Sequence, residues 1–132
     1  MTIETYLVDL SNYIQSNGLG TVAVDIVISG YYDKAGNAIF VTPYGGSDNC
    51  EIKTPGYDDP CTPDVQFLVR NLDQAIAISK ANAIFKLFRK VSDLTIGDTK
   101  IISMRAKGPP SFVMKTNSLH YHYSINFSLI IQ

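Results

Sequence analysis

The sequence predicts an α+β domain: a mixed, mainly antiparallel sheet of four to five strands with two helices packed on one face. Three observations carry this. The segment LHYHYSINFSLII, Leu119 to Ile131, alternates apolar and polar residues with period two, the mark of a two-faced strand. Two other stretches, near 3–17 and 72–91, place their apolar residues at helical spacing. The β-branched and aromatic runs come in clusters instead of alternating one by one with helices.

In chain order, Thr2 is a fair N-cap, and Ile3, Tyr6, Leu7, Leu10, Tyr13 and Ile14 form the apolar stripe of a first helix over about 3–17. Gly18 stops it, because glycine adopts positive φ without a Cβ clash. TVAVDIVIS reads as a strand near 21–29, and Gly36-Asn37 as a turn. AIFVTPY is a second strand, halted by Pro43 and Gly45-Gly46. From Gly45 to Pro63 the chain is rich in Pro, Gly and acid, with Asp48, Glu51, Asp58 and Asp59, and reads as a long inserted loop. DVQFLVRN is a strand near 64–70. Asn71, with Gln74 in the reciprocal position, caps a helix over about 72–91. Its arc of Ala77, Ala81, Ile84, Phe85, Phe88 and Val91 covers the sheet, and Lys86, Arg89 and Lys90 lie on the other side. Gly97-Asp98 turns into a strand near 99–106, Lys107-Gly108-Pro109-Pro110 breaks it, and SFVMKTNS leads into the last strand.

The totals bound the function. A chain of 132 residues, 45% hydrophobic and 17% charged, suits one domain, 1–132, with a single core. It has no apolar run long enough for a membrane span, and MTIETYLVDLSNY lacks the basic start of a secretory signal. Cys50 and Cys61 match no metal motif; in a reducing compartment they are expected to be thiols. Net charge is −1, yet residues 1–66 sum to −7 and residues 67–132 to +6. That asymmetry fits interleaved halves, a basic nucleic-acid face, or opposite surfaces meeting between identical subunits packed head to tail.

No catalytic signature is present. The chain lacks GxxxxGK[ST], GxGxxG and GxSxG, and its only paired carboxylates lie in the 45–63 loop. His120 and His122 share a strand face, about 6–7 Å apart, but a zinc or iron site needs a third ligand and the chain has no other His. They are read as part of a polar face that is solvated or covered by a partner. No catalytic residue, metal or cofactor is expected.

Three segments together resemble the tail terminator (tail completion) or minor capsid proteins of long-tailed bacteriophages. The first is a short helix ending at Gly18, followed by NGLGTVAVDIVISGYY. The second is NAIFVTPYGG, with Gly45-Gly46, then Val65-Gln66 and Val69-Arg70 running into an amphipathic helix. The third contains Pro109-Pro110 and a last strand with Asn126-Phe127. The insertion from about Ser47 to Pro63 departs from the family's pattern.

The resemblance implies a non-enzymatic virion protein of the tail or neck, assembled in the host cytoplasm. Such proteins form a ring, usually of six, on the finished tail tube. The ring stops tube polymerisation and joins the tail to the head connector. The implied partners are further copies of itself, the major tail tube protein and a head-completion protein; DNA passes through the ring without specific binding, and no membrane is involved. Candidate contact residues are Tyr44, Gly45, Gly46, Arg70, Lys86, Arg89, Lys90, Pro109, Pro110, His120 and His122. Arg70, which leaves its strand just before the helix, is read as an inter-subunit or loop-anchoring contact. The alternatives are another neck or head-completion component, or a nucleic-acid-binding module using Lys80, Lys86, Arg89 and Lys90.

Overall fold

The computed structural model describes residues 5–28, 36–46, 62–117 and 119–132. Its elements are α1 (Thr5–Ser16), β1 (Ile26–Ile28), β2 (Ala38–Gly46), β3 (Pro63–Asn71), α2 (Gln74–Phe88), β4 (Lys90–Ile96), β5 (Thr99–Ala106), β6 (Ser111–Lys115) and β7 (Tyr121–Ile131). The α+β class and the mixed, mainly antiparallel sheet stand. The strand count does not: one sheet of seven strands runs in the order β1-β2-β3-β7-β5-β4, with β6 also paired to β7. The extra strands are β4, where the sequence predicts a helix end and loop, and β6, where it predicts only a lead-in to the last strand.

Helix α1 buries Tyr6, Leu7, Leu10 and Ile14, its predicted stripe, and Gly18 at φ 77° ends it. Burying each Leu or Ile contributes about 1.5–3 kcal/mol. The strand predicted over 21–29 begins only at Ile26, and its described part is Ile26–Ile28. The Thr21 carbonyl accepts from the amides of Val24, Asp25 and Ile26, and Ala23 takes φ 67°, so TVAVD coils into a turn before β1 begins. β1 then pairs with β2 in parallel, and β2 with β3 antiparallel. β2 continues through Pro43, which the sequence reading made a stop. Among the described residues β1 pairs as far as Val41 and no strand is paired beside Pro43, so its missing N–H breaks no described ladder bond; a register shift follows it.

The cap of α2 is Asp73, not Asn71: the Asp73 carboxylate accepts from the amides of Ala75 (2.9 Å) and Ile76 (3.4 Å). Asn71 serves one step earlier, accepting from the Asp73 amide at 2.9 Å as β3 ends. The helix stops at Phe88, and Val91 belongs to β4, where it faces Met104 of β5.

Both helices pack on the same sheet face. Leu10 and Ile14 of α1, and Ala77, Ala81, Ile84 and Phe88 of α2, share one core with Val65, Phe67, Ile125 and Phe127. At its centre the Phe88 ring lies 5.6 Å from Phe67, 5.7 Å from Tyr13 and 6.0 Å from Phe127. Tyr123, Ile125, Phe127, Leu129 and Ile131 are buried as the alternation predicts; Leu119 is exposed at φ 67°, in the turn before β7. The turn between β4 and β5 is tied to α1, since Thr99 Oγ1 donates to Asp9 Oδ2 at 2.6 Å.

Candidate functional site

The sheet face away from the helices carries Phe40, Leu68, Arg70 and the even-numbered residues of β7. Arg70 stands between two cross-strand neighbours, Ala38 on β2 and His122 on β7. Its Nε donates to the Gly36 carbonyl at 2.9 Å, and its guanidinium lies 5.1 Å from the centre of the Phe40 ring. Phe40 and Leu68 form a second small apolar cluster there.

His120 and His122 are not solvated. They are 7% and 9% exposed within the single chain, a correction to the polar face, solvated or covered by a partner, expected for them. His122 is flanked by Arg70 on one side and Met114 of β6 on the other. Burial first, then the charge of Arg70 and then His120, pushes its pKa below the ordinary histidine value. His120 closes the β6–β7 hairpin: the Thr116 amide donates to its carbonyl (2.8 Å), and its amide donates to Thr116 Oγ1 (3.1 Å).

A second cluster lies at the other end of the sheet. Lys86 and Arg89 at the end of α2 and Lys90 at the start of β4 are all exposed. Lys90 stands directly opposite Arg105 of β5, a like-charged cross-strand pair. Beside them runs an open groove of about 390 Å³, lined by Phe85, Arg89, Lys90, Ala106, Gly108 and Pro109. Tyr44, Gly45 and Gly46 lie on the last residues of β2, where Gly46 pairs with Pro63. The neighbouring row, Asp64–Ser128–Arg105–Lys90, crosses four strands, so the β2–β3 hairpin opens at the same end of the sheet as the basic cluster.

The structure therefore joins Arg70 with His122, and Lys86, Arg89 and Lys90 with Pro109, and separates these two groups. Pro110 follows Pro109 in the same β5–β6 connection. The 47–61 part of the acidic loop, with Cys50, Cys61 and Asp58-Asp59, lies outside the described residues. Two features were missed. Arg105 looked like one residue of a plain strand until its register placed it opposite Lys90. Strand β6 is exposed throughout, with Phe112, Val113 and Met114 49–55% exposed. Lone apolar residues after Pro-Pro gave no periodic signal. Among the described residues, no group of three or more His, Cys, Asp or Glu is placed to hold a metal ion.

Among the described residues the layout is a seven-stranded sheet with an exposed basic cluster and an exposed apolar strand, β6. It is similar to a solved structure described as "Virion of native gene transfer agent (GTA) particle", with TM-score 0.62 at 13% identity, covering 96% of this chain and 95% of that one. At that identity the likeness is one of fold. None of the curated proteins compared matches. The chain matches the family described as bacteriophage tail terminator protein over residues 13–132, and it belongs to that family. Membership makes it a structural component of the virion tail.

Proposed function

We propose that the protein forms a ring, of six subunits as the family resemblance implies, on the end of the tail tube. The ring stops tube polymerisation and offers its free surface to a head-completion or connector protein. Its work is contact rather than catalysis; it assembles in the host cytoplasm and stays in the virion, and no described helix is long and apolar enough to cross a membrane.

One observation supports a closing, head-to-tail contact most directly. Lys86, Arg89, Lys90 and Arg105 are exposed and have no carboxylate partner among the described residues, although the chain as a whole carries a net charge of −1. A basic cluster left unpaired on such a chain favours heterologous packing against an acidic surface of another copy, which closes into a ring when the rotation permits.

Sedimentation velocity over a range of concentration and salt tests this. A discrete oligomer that weakens with salt is expected, because exposed charges are screened beyond about 8–10 Å at physiological ionic strength. With purified tube protein, capped tubes of fixed end structure are expected in electron micrographs. A strict monomer that leaves the tubes uncapped would overturn the reading. The exposed Lys86, Arg89 and Lys90 also favour a second reading, a nucleic-acid contact; strong retention on DNA by a protein that never assembles would support it instead.

A further inference from the structure

We infer that the groove between the end of α2 and the β5–β6 connection is the receptor for the acidic segment 48–60 of a second copy of this chain. The inference rests on the ring reading and deepens it by naming the contact.

The groove combines two chemistries. Phe85, Ala106, Gly108 and Pro109 give it an apolar lining, and Arg89 and Lys90 place two cations at its rim. Lys86 lies one turn back on α2; Arg105, opposite Lys90, is outside the groove lining, because it alternates with Ala106 along β5. Among the described residues none of these four has a carboxylate partner; the one ion pair is Lys107 with Asp64. Lys90 and Arg105 face each other across a strand pair, an arrangement that repels in isolation and is relieved by an anion. The dipole at the end of α2 favours bases there but leaves the apolar lining beside them without an occupant.

The occupant must therefore bring negative charge and apolar surface together. A nucleic-acid backbone supplies the charge and leaves the apolar lining unused. The segment DNCEIKTPGYDDP, Asp48 to Pro60, supplies both: Tyr57 adjoins Asp58-Asp59 and lies between Pro55 and Pro60. A buried tyrosine removes about 150–250 Å² from water while its acidic neighbours meet the rim. This is also the most acidic stretch of the chain, so one segment concentrates the charge that the basic half lacks.

Two measurements test this. The first uses a fluorescent peptide of residues 47–61 titrated against the full protein. Binding is expected to be about tenfold weaker for R89E/K90E, and weaker for a peptide with Tyr57→Ser. No binding to the wild type, or equal binding by R89E/K90E, would overturn the inference whether or not rings form. The second uses two full-length variants, R89E/K90E and D58K/D59K, each first shown folded by circular dichroism. Each alone repels its own kind and is expected to stay monomeric where wild type assembles. An equimolar mixture is expected to recover alternating assembly, since each groove then meets a segment of opposite charge. Normal assembly by either variant alone, or no recovery on mixing, would overturn the contact while leaving the ring intact. Normal assembly by R89E/K90E with lost DNA retention would assign the cluster to nucleic acid. A wild type that binds peptide yet never assembles, with or without tube, would refute the ring reading.

Discussion

Replacing Arg70 by Ala removes a charged donor from a partly buried place. Its hydrogen bond to the Gly36 carbonyl, at 2.9 Å, contributes about 1.5–3 kcal/mol, as bonds from charged groups do. The contact over the Phe40 ring, at 5.1 Å, adds about 0.5–1 kcal/mol and shields a ring that is 1% exposed. Stability at pH 7.5 should fall by about 2–4 kcal/mol. Urea unfolding followed by circular dichroism measures this; the chain has no Trp to report by fluorescence.

The pH dependence gives a second, opposite signature. His122 has a folded pKa below its ordinary value, from burial and then from Arg70 and His120. As pH falls, the unfolded chain takes up that proton first. Stability is therefore complete above about pH 6.5 and erodes below it, by at most about 1.4 kcal/mol per pH unit for this one group. Arg70→Ala removes one cause and leaves burial in place. The variant should start less stable but lose less between pH 7.5 and 5.5 than the wild type. Stability within about 0.5 kcal/mol of wild type, or an unchanged slope in that window, would refute the Arg70–His122 coupling and the anchoring of Gly36.

Two further outcomes test the packing. Phe88→Ala empties the place where four aromatic rings meet and should cost about 3–5 kcal/mol, a large part of the about 5–15 kcal/mol available to a domain; a loss under about 1.5 kcal/mol in urea would show that the helix end is not in the core. Gly97→Ala should cost about 1 kcal/mol more than Gly18→Ala, although both glycines have positive φ. A Cβ at Gly97 would lie 2.5 Å from Asp9 Oδ1 and push aside the carboxylate that holds Thr99, whereas a Cβ at Gly18 meets nothing within 4 Å; equal losses of Tm would refute the Asp9 tie.

The helices and the last strand were legible because their signals are local. A period of 3.6 in α1 and α2 and a period of two in β7 each follow from one buried face. Where the outcome depended on a distant partner, sequence reasoning failed. Val91 sits three residues after Phe88 and continues the helical stripe perfectly well; it becomes strand because Met104 and Ile101 offer Val91 and Leu94 cross-strand partners. Ser111–Lys115 has no buried face of its own and is a strand only by its pairing to β7. His122 is polar by type, yet Arg70 and Met114 on either side enclose it, and neither neighbour is visible from the alternation. For the candidate contacts, the bases of α2 could be grouped from a helical wheel, whereas Arg105 and the groove beside Pro109 needed the register of β4 on β5.

The charge split shows most clearly how topology turns a linear fact into a surface. A chain that is −7 in its first half and +6 in its second has no dipole if its strands interleave. Here α2 carries the chain from β3 over the place that β7 later fills, so β4 and β5 are laid down beyond it, away from β1 and β2. Within the sheet the halves meet at β3 against β7, and Lys107 and Asp64 pair across the division; on the helix face α1 crosses it, where Thr99 donates to Asp9. That exposed pair contributes little to stability, about 0–1 kcal/mol. Away from the seam, Lys86, Arg89, Lys90 and Arg105 have no acid within reach among the described residues. A fold that only had to be stable would gain by mixing its charges. A basic cluster left without acids of its own is free to meet the acidic 48–60 segment of another copy, the contact inferred above.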